Sequence, residues 1–79
     1  MARIVVQKAR GKEVWWVNAR HSDGSPIFSG VGVCVSRNPL NMKFYTGHRD
    51  GAPLCFDDQK AAIAEAKKIV KEQLWEKGL

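Results

Sequence analysis

The sequence predicts an α+β domain, a three- to four-stranded antiparallel sheet packed on one C-terminal α-helix. Three observations carry that expectation. Residues 3–46 hold successive β-branched and aromatic runs separated by Gly, Pro, Asn and Asp, the chemistry of strands joined by turns. From about residue 57 the apolar residues change to helical spacing. A chain of 79 residues has room for one hydrophobic core, so sheet and helix must share it. Residues 1–79 are therefore expected to form one domain, with sheet at about 3–46, turn or loop at 47–56 and helix at about 57–76.

The first strand is expected at residues 3–9, Arg-Ile-Val-Val-Gln-Lys-Ala, and Arg10-Gly11 turns it into a second, Lys12 to Arg20, around Val14-Trp15-Trp16-Val17. His21-Ser22-Asp23-Gly24-Ser25-Pro26 follows, where Asp-Gly suits the positive φ angles of a tight turn. A third strand is expected over residues 27–35, a loop over 36–41 around Asn38-Pro39, and a short fourth strand from Met42 to Thr46. The next connection, His48-Arg49-Asp50-Gly51-Ala52-Pro53, repeats the earlier turn pattern. Either the strand-turn unit is duplicated or two connections converged on the same turn chemistry. Phe56 then offers a hydrophobic staple and Asp57-Asp58 an N-cap, with negative charge at the positive end of the helix dipole. Ala62, Ile63, Ala66, Ile69, Val70, Gln73 and Leu74 form the inner stripe, Lys60, Glu65, Lys67, Lys68, Lys71, Glu72 and Glu76 face mostly water, and Gly78 ends the helix.

Strand alternation allows only one of Trp15 and Trp16 to face the helix. Trp15, Val17 and Ala19 form an unbroken apolar series, whereas Trp16 shares its face with Asn18 and Arg20. Trp15 is thus assigned to the core with Ile4, Val6, Val31, Val33, Val35, Met42 and Phe44. The outward face takes Trp16, Asn18, Arg20, Val5, Gln7, Phe28, Cys34, Lys43 and Tyr45. Gly30 and Gly32 fall on it too, where they would let something approach the backbone closely.

Thirteen Lys and Arg against eight Asp and Glu give a formal charge of +5, which attracts polyanions: nucleic acid or an acidic protein surface. The outward aromatics suit base stacking, Arg20 and Lys43 suit phosphate, and the amides suit base edges. The candidate binding residues are Trp16, Asn18, Arg20, Phe28, Lys43 and Tyr45. Burial of the same aromatics under the 36–41 loop or a homodimer partner is the competing explanation. No stretch approaches the roughly 20 apolar residues of a membrane span. The N-terminal apolar run is far shorter than the about 7 to 15 residues of a signal-peptide core, which makes the cytoplasm the expected location.

Cys34 and Cys55 are expected as free thiols, since disulfide-stapled mini-domains carry more cysteines. With His21 and His48 they lack the local chelating pairs of structural zinc sites, so neither metal nor cofactor is expected. Asp23 and Asp50 belong to turns and Asp57 and Asp58 to the helix cap, and Gly30-Val31-Gly32 is no strand-to-helix phosphate loop. No enzyme activity is expected.

Gly11-Lys12-x-x-Trp15-Trp16-Val17, then Asp23-Gly24, then Phe56-Asp57-Asp58-Gln59-Lys60-Ala61-Ala62 resembles the arm-type DNA-binding domains of phage and transposon tyrosine integrases. The resemblance spans most of residues 10–75 and implies a small sheet that docks in the major groove. This chain differs by an extra strand and loop at about residues 31–46, a design similar to a phage or mobile-element accessory protein. Two functions are therefore expected from the outward face: nucleic-acid binding, or protein binding by an inhibitor or adaptor that blocks a host defence or nucleic-acid enzyme.

Overall fold

In a computed structural model, described over residues 2–25, 27, 31–47 and 53–78, the chain forms β1 (Arg3–Lys8), β2 (Val14–Arg20), β3 (Val33–Asn38), β4 (Lys43–Thr46), β5 (Leu54–Phe56) and α1 (Gln59–Glu76). The strands pair in chain order as a five-stranded antiparallel meander. The helix covers one face, packing on β2, β3 and β4 more than on the edge strand β1. The α+β architecture is the one expected, with more strands than the three to four read from sequence.

The alternation of β2 decides the layering. Trp15, Val17 and Ala19 are buried against the helix, and Trp16 is 51% exposed against 5% for Trp15. Val33 and Val35 of β3 and Ala62, Ala66, Ile69, Val70 and Leu74 of α1 complete the core, with Ile4, Val31, Phe44, Phe56 and Ile63 packed at its margin. Ala62 and Ala66 are fully buried and carry almost no side chain, so the helix axis can lie close to the sheet. Trp15 meets Phe44 at a ring-centroid distance of 5.8 Å and a tilt of 53°, and Lys8 Nζ lies 6.0 Å from the Trp15 ring centroid.

Two buried polar side chains tie the helix to the sheet. Thr46 Oγ1 donates to the Ala62 carbonyl at 2.8 Å near the start of α1, and Gln73 Oε1 accepts from the Gly32 amide at 2.9 Å near its end. Gly32 is required by its backbone conformation rather than by that bond, which any residue but proline could make. It sits at φ +147, where a side chain is strained, and its amide is taken by Gln73 of the helix. The helix ends on Gly78 at φ +73, after the Lys77 amide bonds the Gln73 and Leu74 carbonyls.

Several expectations need correction. β3 was expected at 27–35 followed by a loop at 36–41, but it runs from Val33 to Asn38 and only a short turn follows. Ser36, Arg37 and Asn38 look like loop residues, yet each pairs with β4, and Ser36 also pairs with Val14 of β2. The segment 47–56 was expected as turn or loop, but Leu54–Phe56 adds a fifth strand by pairing with β4. Met42 was placed in the core as the first residue of strand four. It lies instead in the turn at φ 62 and is 56% exposed. Asp58 is the N-cap, extended at φ −129 and ψ 136, but its carboxylate makes no capping hydrogen bond, leaving charge as its contribution. Val6 does share the helix face through its pairing with Val17, but it is 38% exposed because α1 barely reaches β1. Phe28, Gly30 and His48 to Ala52, and with them most of the second His-x-Asp-Gly-x-Pro turn, lie outside the described residues.

Candidate functional site

The sheet face away from α1 is built by pairing register. Trp16 stands near its middle, opposite Gln7 of β1 on one side and Cys34 of β3 on the other. Toward one end of the face come Val5 opposite Asn18 and then Arg3 opposite Arg20. Toward the other come Val14, Ser36, Tyr45 and Cys55 in one cross-strand row, then Asn38 opposite Lys43. The face therefore has a neutral centre around an exposed indole, with cations at its two ends.

Five of the six candidate residues share this face: Trp16, Asn18, Arg20, Lys43 and Tyr45. Phe28 lies outside the described residues. The face brings them together without clustering the charges. Four residue steps along the strand take Trp16 to Arg20, about 13 Å, and Lys43 is displaced in the other direction across two strands, about 16 Å away. Arg3 belongs with Arg20, and sequence reasoning missed it because only the β1–β2 register shows that the two arginines are paired.

Local bonds hold several of these groups. Arg20 Nη1 donates to the Gly24 carbonyl at 3.0 Å, fastening the strand to the turn after it. That turn is closed by the Gly24 amide on the His21 carbonyl and by Asp23, whose Oδ1 accepts from the Ser25 hydroxyl at 2.6 Å and its amide at 2.9 Å. The Ser25 hydroxyl, then its amide, hold the Asp23 carboxyl below its ordinary range. Lys43 Nζ pairs with Asp57 Oδ1 at 3.0 Å, and this hydrogen bond and charge raise the lysine above its usual value. Asn41 Nδ2 donates to the Tyr45 hydroxyl at 2.8 Å, which fixes the ring. The Asn18 side-chain oxygen is buried without a hydrogen bond, so this acceptor is not offered to a ligand.

Burial raises the Cys34 thiol above its ordinary value, which suppresses thiolate at neutral pH, and both cysteines are free. No three His, Cys, Asp or Glu side chains are grouped to hold a metal among the described residues. An open depression of about 340 Å³ lies where the β1–β2 and β3–β4 turns meet, lined by Lys12, Glu13, Val14, Arg37, Pro39 and Met42. Glu13 is its single carboxylate, so it holds no acid–base pair. No helix is long and apolar enough to cross a membrane among the described residues. No family model, curated protein or solved structure matches the chain.

Proposed function

We propose that this chain is a small nucleic-acid-binding module that stacks an unpaired base on Trp16. The observation that carries the reading is the position of that ring: half exposed, central on a sheet face the helix leaves open. A flat aromatic surface accepts any base, but only one whose face is not already stacked within a duplex. Arg3 and Arg20 at one end and Lys43 at the other would take phosphates on either side of the stacked base, along a diagonal across the strands. Arg20 and Lys43 each have an internal partner, so their contribution is smaller than that of free side chains.

Fluorescence anisotropy with labelled single-stranded and duplex oligonucleotides tests this. Trp16→Ala should weaken single-strand binding about 5- to 150-fold, the range for losing one base stack worth about 1–3 kcal/mol. Replacing Arg20 and Lys43 by Gln should lower the magnitude of the salt slope by about one. Absence of single-strand binding at about 50 mM salt, or full affinity in Trp16→Ala, overturns the reading.

A second reading is favoured by the neutral centre of the face, where the same-face neighbours of Trp16 are Gln7, Val5, Val14, Asn18, Cys34 and Ser36 rather than cations. That composition also suits the centre of a protein interface with charges at its rim. Under this reading the chain is an inhibitor or adaptor that docks an acidic protein. A partner captured through Trp16 at fixed stoichiometry after nuclease treatment would favour it.

A further inference from the structure

We infer that the side of α1 turned away from the sheet is a second, separate nucleic-acid contact that binds the phosphate backbone of a duplex. At about 100° per residue, Lys60, Lys67, Lys68, Lys71 and Trp75 fall within one arc of about 100°. All five are exposed, and Trp75 is 82% exposed. Glu65, Glu72 and Glu76 fall together in a separate arc of about 40°, so the helix carries a basic stripe beside an acidic one rather than alternating charges. None of the four lysines is in an ion pair with a described residue.

The middle of this stripe works against the helix that carries it. Lys68, at the edge of the stripe, has Glu65 and Glu72 three and four residues away, but Lys67 has no acid at either spacing and Lys71 faces both Lys67 and Lys68, where opposite charges would support the helix. Lys60 occupies the first turn, which contains no acid, so the complement to the dipole comes from outside the helix, from Asp57 and Asp58 before it and Lys77 after it. The middle of the stripe is therefore left with like-charge repulsion that no acid on the helix offsets. A polyanion lying along the stripe offsets it.

The chemistry selects the occupant. Lys60 to Lys71 spans about 16 Å, with Lys67 and Lys71 about 6 Å apart. A straight row of cations of that length matches a rigid line of charge, and a duplex presents one phosphate per about 1.7 Å of axis. A lipid surface would need an apolar band beside the lysines, but the apolar stripe of α1 is buried on the sheet and Trp75 is the single large apolar side chain on the outer side. Because this stripe and the Trp16 face lie on opposite sides of the domain, the stripe stands whether or not Trp16 stacks a base.

Duplex binding by the full chain, measured by anisotropy across a salt series, tests the inference. Replacing Lys60, Lys67 and Lys71 by Gln together should reduce the magnitude of the salt slope by about two to three, while Lys→Arg at the same positions should preserve it. Replacing Lys8, Arg10 and Lys12 by Gln removes the same net charge elsewhere and should leave the slope closer to that of the parent. Should the triple stripe variant fail to fold by circular dichroism, Lys67→Gln and Lys71→Gln measured singly should each lower the slope by about one. Equal losses from stripe and turn variants, no loss from the stripe, or no duplex binding at about 50 mM salt overturns the inference. Single-strand affinity and its response to Trp16→Ala, read in parallel, report on the sheet face alone.

Discussion

Trp15 and Trp16 are the same residue type in adjacent positions, yet one is buried against Phe44 and the helix while the other meets solvent. Their substitution therefore separates stability from binding. Trp15→Ala deletes a large buried ring and should cost about 3–5 kcal/mol. A domain of this size has little stability beyond that, so the variant should be largely unfolded at room temperature. Trp16→Ala removes a ring that is already half in water and should shift stability by no more than about 1 kcal/mol. Chemical denaturation followed by far-ultraviolet circular dichroism checks both. If Trp16→Ala proved the more damaging, the assignment of faces would be wrong, because a one-residue slip of β2 exchanges the two rings.

At the scale of elements, α1 is fastened at both ends by bonds that differ in what their removal leaves behind. Thr46→Val keeps the shape and deletes one hydroxyl, while the Ala62 carbonyl remains placed to accept within the helix. The expected cost is about 0.5–1.5 kcal/mol. Gln73→Leu removes the acceptor of the Gly32 amide, which leaves a part-buried donor without a partner, and the expected cost rises to about 1–3 kcal/mol. Native-state hydrogen exchange adds a local readout: the Gly32 amide should lose protection in Gln73→Leu and keep it in Thr46→Val. Equal protection of Gly32 in both variants would show that Gln73 does not hold that end of the sheet. The like-charge pairs on the outer side of α1 each cost a further few tenths of a kcal/mol. Burial of its inner stripe, not intrinsic helix stability, thus keeps the element folded.

For the whole molecule, the balance of charge decides the response to salt. The formal net charge is +5, and Lys43 with Asp57 forms the one ion pair between described residues. Screening therefore weakens repulsion among unpaired cations more than it weakens attraction. The melting temperature should rise by a few degrees between about 10 mM and 200 mM sodium chloride, the opposite of a fold held by surface ion pairs. A fall over that interval, measured by thermal denaturation without nucleic acid, would mean that attractive pairs dominate. The same screening opposes binding to any polyanion, so stability and affinity should move in opposite directions with salt.

The sequence by itself determined the fold class, the inward side of β2 and the buried stripe of α1, because each depends on a local period. Val31, Val33 and Val35 were legible as inward for the same reason, as was the exposure of Trp16. What only the tertiary structure decided depends on pairing between residues far apart in the chain. Ser36 to Asn38 form strand because β4 lies beside them, and Leu54–Phe56 is too short for alternation to be visible until it pairs with β4. Met42 left the core because the turn before β4 takes up that residue at positive φ. The candidate face divides along the same line. Alternation placed Trp16, Asn18, Arg20, Lys43 and Tyr45 on one side, but the register added Arg3, and the folded geometry gave Arg20 to the Gly24 carbonyl and Lys43 to Asp57. A side chain's direction follows from its neighbours in sequence, whereas its partner follows from its neighbours in space, and the second is set only when the sheet and helix have closed on each other.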